Sequence, residues 1–212
     1  LFGSIFIVLF LFESISILTK NNLAKFLSHW FFLTILAYGI LSAIQALIIL
    51  PIETSLISHN TAMVSMLYLP HSVRILAAWM IGPRAIFALL PASLTVHFIM
   101  QIDNGPLLPG DFIIPVVGAL CAPVAFELMR ALRINIYPSG SGVISWRTLV
   151  FGGLLSSILN SFFSTFFLEG KFPVEDTFNV LSRFIIGDVM GLVVVLFSFL
   201  GLLKAFRRFS NV

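Results

Sequence analysis

The sequence predicts an all-α protein. It reads as one integral membrane domain, residues 1–212, built as a polytopic transmembrane helix bundle of about seven helices joined by short loops. Three observations predict this. Of 212 residues, 59% are hydrophobic and 23 are Phe, while only 10% are charged; a soluble domain carries about 25% charged residues. Apolar runs of about 20 residues, the length that crosses a bilayer, recur along the chain. Gly, Pro, Asn and charged residues gather between those runs. A soluble globule of this size exposes too much of its chain to hide so much apolar surface. Disorder needs the opposite composition, low hydrophobicity with high charge. A soluble enzyme and a disordered chain are therefore excluded. The absence of strict apolar–polar alternation argues against a transmembrane β-barrel.

The first segment, 3–19, is short and contains Glu13. It lacks the basic flank and cleavage site of a signal peptide. The start at Leu1 rather than Met leaves room for an eighth helix upstream. After Lys20-Asn21-Asn22 comes the second segment, 29–50, which ends at Pro51. The third, 62–80, contains Pro70, and Gly82-Pro83-Arg84 turns it into the fourth, 85–101, which is again short. Asp103-Asn104-Gly105-Pro106 precedes the fifth, 112–132. Pro138-Ser139-Gly140 precedes the sixth, 148–168, and Glu169-Gly170-Lys171 the seventh, 178–203. No soluble domain fits between any two of them. Trp30, Trp79 and Trp146 fall near helix ends, where an aromatic belt at the membrane interface accounts for them. Cys121, the one cysteine, reads as a small buried packing residue.

Alternating the helices sorts the charges. One side collects Lys20, Lys25, Arg84, Arg130, Arg133, Arg147, Lys204, Arg207 and Arg208. The other collects Glu53, Asp103, Asp111, Glu169, Glu175 and Asp176, with Lys171 as its strong base. The positive-inside rule makes the basic side cytoplasmic, and the C-terminus with it. The net charge of +3 thus speaks to orientation and gives no reason to expect a nucleic-acid partner.

The ionisable groups left within the apolar runs are the informative ones, since a charge at mid-bilayer costs at least about 2.5–3.5 kcal/mol. Counting residues from the helix ends puts Asp188, Arg74, His71 and Asn160 in one layer, with Glu13 level with Arg74. Arg183 and His97 form a second, outer polar layer, and Glu127 lies beside Arg130 near the inner surface. Two readings of the deeper layer stand open. It is a polar core that binds a ligand, relays a proton or switches packing, or it is a structural ion pair that fixes helix register. Gly187 and Gly191 bracket Asp188 in a GxxxG step, which lets neighbouring helices approach closely. Gly152 and Ser156 give the sixth segment a similar small face. No catalytic motif or metal-ligand cluster is visible, so the protein is not expected to be an enzyme, and no cofactor is indicated.

Two stretches carry a family resemblance. Tyr68-Leu69-Pro70-His71-Ser72-Val73-Arg74 runs on to Trp79-Met80-Ile81-Gly82-Pro83-Arg84, and the last helix reads Arg183-Phe184-Ile185-Ile186-Gly187-Asp188-Val189-Met190-Gly191. Together they resemble the membrane-associated sensor domains of the first, MASE-type class over roughly residues 30–205. Two positions depart from that pattern: Leu69 stands where relatives carry Trp, and the aromatic ahead of Gly-Asp is replaced near Arg183. The resemblance implies a bundle of about eight helices in the bacterial inner membrane. It also implies an N-terminal input module for histidine kinases and cyclic-di-GMP enzymes. No such output domain follows before Val212, so a downstream part or a separate partner is expected.

A sensory module signalling to a cytoplasmic partner through its last helix is therefore the leading expectation. A non-catalytic accessory subunit of a larger membrane complex and a small-solute-binding transporter component are the alternatives. The expected partners are the lipid bilayer and a membrane protein or cytoplasmic output domain, with homo- or hetero-oligomers open.

Overall fold

The computed structural model describes residues 29–56, 65–101, 109–134, 146–167 and 177–210. Every regular element among them is helical. Helix α1 (Trp30–Ile44) passes through a π-helical turn, Gln45–Ile49, into α2 (Leu50–Leu56). Helix α3 (Pro70–Ile81) passes through a 3-10 turn, Gly82–Ala85, into α4 (Ile86–Gln101). Then come α5 (Pro109–Ala131), α6 (Trp146–Phe167) and α7 (Thr177–Ser210).

Five runs are long and apolar enough to cross a membrane: Trp30–Leu56, Pro70–Gln101, Phe112–Ala131, Trp146–Phe167 and Phe178–Leu202. The expected count of seven is not confirmed. The third and fourth segments form a single helical run that bends at Gly82, whose φ of 71° suits a residue without Cβ. Both arms pack against α5. Arg74 lies against Gly118 of α5, and the Ser93 hydroxyl donates to the Pro115 carbonyl of the same helix at 2.8 Å. The first expected segment, 3–19, lies outside the described residues, and Glu13 with it.

The start of the third segment is corrected. The helix begins at Pro70, and the expected helical residues 65–69 ahead of it are not helical. Proline at the first helical position gives up an N–H that has no partner there anyway. The preceding Ser65–Leu69 is non-helical, and its amides find other acceptors. Leu67 N–H donates to Ser65 Oγ at 3.2 Å, Tyr68 N–H to the Gly187 carbonyl at 2.9 Å and Leu69 N–H to Gln45 Oε1 at 3.1 Å. Irregular backbone at membrane depth survives only where protein satisfies it in this way. With 12 residues, α3 is about 18 Å long, well short of a hydrocarbon core of about 30 Å. It is a half-helix whose N-terminus opens inside the bundle.

Packing follows small residues. Phe126 and Met129 of α5 sit over Gly152 of α6, and Leu192 of α7 sits over Gly153. These side chains join Ile75, Ala78, Ala122 and Leu149 in one buried cluster, and Trp79 packs against it. A second cluster joins Tyr38, Val73, Ala77, Ala85, Leu89, Ala92 and Ala119. Lipid offers no hydrophobic drive between helices, so close contact at Ala and Gly holds them instead. Phe162, Phe166, Phe178 and Phe197 face outward, the arrangement a hydrocarbon solvent favours. Helix α5 ends with Arg133 at φ 61°. There the Ile134 amide reaches back to the Met129 carbonyl and the Arg133 amide to that of Arg130, which closes the helix end.

Candidate polar core and cavity

The half-helix α3 brings a histidine and an arginine into the bundle interior, one turn apart. His71 is fully buried. Its Nε2 lies 3.3 Å from the Gly153 carbonyl, and its Nδ1 lies 3.4 Å from Asp188 Oδ2, within ion-pair range though off the hydrogen-bonding line. Asp188 of α7 is 1% exposed. Its Oδ2 accepts from Ser157 Oγ at 3.1 Å and Asn160 Nδ2 at 3.3 Å, both on α6. One carboxylate oxygen thus gathers groups from α3 and α6. Neutral donors of this kind are what a buried carboxylate needs to stay tolerable in a low-dielectric interior.

Arg74 is held differently. Its Nη2 donates to the Tyr38 hydroxyl at 2.9 Å and the Tyr68 hydroxyl at 3.3 Å. The guanidinium carbon also lies 5.6 Å from the Tyr38 ring centre and 5.4 Å from that of Tyr68. A desolvated cation–π contact contributes about 2 kcal/mol, so two of them match the cost of about 2.5–3.5 kcal/mol for an arginine at mid-bilayer. Among the described residues no carboxylate stands within ion-pair distance of Arg74. An Arg74–Asp188 ion pair is therefore absent, and each charge has its own neutral partners. Gly118 makes room for the guanidinium, because a Cβ there would stand 2.8 Å from Nη2.

Arg74 and Asp188 nonetheless share a cavity of about 300 Å³. Its wall includes Tyr38, Gln45, Tyr68, His97, Asn160 and Ser164, with Leu50, Val96, Met100 and Phe184 among its apolar members. These positions lie in the half of the bundle away from the end that carries Arg84, Arg130 and Arg147.

The sequence-predicted residues thus separate. His71, Asn160 and Asp188 meet directly, and Arg74 stands across the cavity with the tyrosines. His97 lies on the cavity wall. Arg183 is half-buried on α7, five residues before Asp188, and is not part of that wall. Glu127 pairs with Arg130 one turn along α5. Gly187 and Gly191 do permit a close approach, but of the Ser65–Leu69 backbone rather than of a helix. A Cβ on Gly187 would collide with the Ser65 carbonyl, and one on Gly191 with the Tyr68 carbonyl.

Tyr38, Gln45, Tyr68, Ser157 and Gly118 were not singled out by sequence reasoning. Two signals could have found some of them. The chain has only three tyrosines, and two of them hold Arg74. Gln45 is an amide deep in an apolar run, and its Nε2 also donates to Ser65 Oγ at 2.9 Å. It sits at the start of the π-helical turn, a distortion often found at functional sites. Among the described residues no group of His, Cys, Asp and Glu could hold a metal ion.

The MASE1 family model covers residues 34–211. No curated protein and no solved structure matches the chain.

Proposed function

The chain belongs to the MASE1 family of membrane-associated sensor domains, and from that premise we propose that it is a sensory module without a catalytic centre of its own, converting a bilayer or periplasmic stimulus into a movement of α7. In this reading the domain sits in the bacterial inner membrane with the C-terminal end of α7 in the cytoplasm. A cytoplasmic output domain or partner protein receives the movement there.

One observation carries the proposal. Ser65–Leu69 rests on Gly187 and Gly191 of α7 and at the same time contributes Ser65 and Tyr68 to the cavity wall. A change in the cavity that moves Ser65 or Tyr68 acts on the backbone against which α7 is seated. A signal needs an element with two arrangements that the stimulus favours unequally. Irregular backbone on a glycine seat, with a buried Asp188 between the glycines, is suited to that role.

The experiment joins the chain to a histidine-kinase or cyclase output domain in bacterial cells and compares Asp188→Asn with the parent. The expected result is an output bias changed at least twofold, with protein level and thermal midpoint retained. Unchanged output from a folded Asp188→Asn protein removes this layer from the signalling path.

The cavity also supports a second reading, a small-solute-binding component of a transporter, because transporters place substrate at broken helices near mid-membrane. Uptake of labelled solute into vesicles carrying the protein together with its membrane partners would favour that reading over signalling.

A further inference from the structure

We infer that the cavity between Arg74 and Asp188 is a binding site for a small zwitterion with an apolar body, an amino-acid-like molecule whose carboxylate meets Arg74 and whose ammonium meets Asp188. This rests on the sensory reading and names its stimulus by chemical class.

Charge is the first ground. Arg74 is 6% exposed and Asp188 1%. They carry opposite charges into one cavity and do not pair with each other. The guanidinium rests on two neutral tyrosines, and its Nε has no hydrogen-bond partner. The carboxylate rests on the neutral donors Ser157 and Asn160, with His71 beside it. A simple anion would satisfy Arg74 and be repelled by Asp188. A simple cation would meet the reverse. A zwitterion answers both charges at once and adds no net charge to a low-dielectric interior, where an unpaired charge is expensive.

Size and lining are the second ground. A cavity of about 300 Å³ suits a compact metabolite, since small-molecule pockets start at about that volume. Beyond the two charges the wall turns apolar at Leu50, Val96, Met100 and Phe184. An aliphatic or aromatic side chain fits there.

The test uses the full chain purified into nanodiscs and measures binding by calorimetry and by thermal shift. The probes are the apolar amino acids, leucine and phenylalanine first, each beside its monoamine and its monocarboxylic acid lacking the second charge. At least one amino acid is expected to bind, with the matching amine and acid at least tenfold weaker. Arg74→Gln and Asp188→Asn should each weaken that binding at least tenfold. Should either variant fail to fold, Val96→Phe, which fills the cavity from its apolar side, should abolish binding while the melting transition persists. Equal binding of the amine or the acid overturns the assignment. So does retained binding by the filled variant, or no binding by any apolar amino acid at millimolar concentration. The fused output reports separately on the sensory reading. A protein that signals but binds no amino acid refutes only the ligand class, and one that binds without changing output refutes the sensory role.

Discussion

His71 Nδ1 stands 3.4 Å from Asp188 Oδ2, both side chains buried, and this contact ties the N-terminal end of the half-helix α3 to α7, the longest helix among the described residues. The other ring nitrogen of His71 faces the Gly153 carbonyl, so one imidazole bridges α3, α6 and α7. His71→Ala and Asp188→Ala should each lower stability by about 1–3 kcal/mol, the cost of leaving buried polar partners unsatisfied. The double variant should lose less than the sum, with a coupling of about 0.6 kcal/mol, the average for polar contacts between membrane helices. Unfolding titrations in mixed micelles measure all four corners of the cycle. Full additivity would show that the two side chains do not act on each other.

The seat of Ser65–Leu69 on α7 depends on two missing Cβ atoms. At Gly191 an added methyl meets the Tyr68 carbonyl, and at Gly187 the Ser65 carbonyl; both are backbone and cannot rotate away. Gly191→Ala and Gly187→Ala should each cost about 1–3 kcal/mol, as overpacking does. Gly201→Ala on the same helix is the contrast. Nothing lies within 4 Å of a Cβ there, and the change should stabilise by up to about 1 kcal/mol through helix propensity. Thermal midpoints of the three variants in one detergent decide the matter. A Gly191→Ala protein as stable as Gly201→Ala would mean that Ser65–Leu69 does not rest on α7.

Gln45 holds the same segment from the other side. Its carbonyl oxygen accepts from the Leu69 amide and its amide donates to Ser65 Oγ. Gln45→Leu keeps the bulk and removes both bonds, which should cost about 1–3 kcal/mol. The sharper readout is local: hydrogen exchange at the Leu69 amide should quicken at least tenfold while amides within α5 and α6 keep their protection. Equal protection at Leu69 in parent and variant would rule out the bond.

The order of these elements was legible in the sequence because apolar length is a strong signal, and the runs around 29–50, 85–101, 112–132, 148–168 and 178–203 all fold as helix. Residues 65–69 depart from the expected helix because a short apolar stretch ahead of a proline carries no period to separate helix from irregular chain. The layer containing His71, Asn160 and Asp188 could be found by counting residues, since depth along a helix is linear in sequence. Which of them touch could not, because the facing direction depends on α3 starting at Pro70. Arg74 shares the layer with Asp188 yet turns to Tyr38 and Tyr68, a choice that depth alone does not contain.

The Arg74 guanidinium lies flat against Gly118, flanked by two rings. Lysine has neither the planar fork nor the stacking surface, so Arg74→Lys is not conservative here. Gly118→Ala leaves the arginine in place but pushes its head away from α5. Both variants should shift the output of a fused signalling domain in the same direction, and Gly39→Ala, with nothing near its Cβ, should leave it unchanged. Opposite shifts from Arg74→Lys and Gly118→Ala would show that the position of the guanidinium is not what matters.

Orientation has a clean chemical test because the chain holds one cysteine, Cys121, which is 5% exposed. A membrane-impermeant maleimide should leave the parent protein unlabelled in intact cells and in inverted vesicles alike. Arg84 and Arg147 are exposed at the basic end of the bundle, and Ser55 is exposed near the end of α2 at the other. With the basic end in the cytoplasm, Arg84→Cys and Arg147→Cys label only when the reagent reaches the cytoplasmic face, and Ser55→Cys labels from outside intact cells. Removing one of several basic residues is too small a change to invert the protein, since the positive-inside bias is summed over loops. Labelling of Arg84→Cys and Arg147→Cys from opposite sides would show that the two residues do not share one end of the bundle. Labelling of both from outside would invert the domain and put the C-terminal end of α7 on the wrong side for a cytoplasmic output.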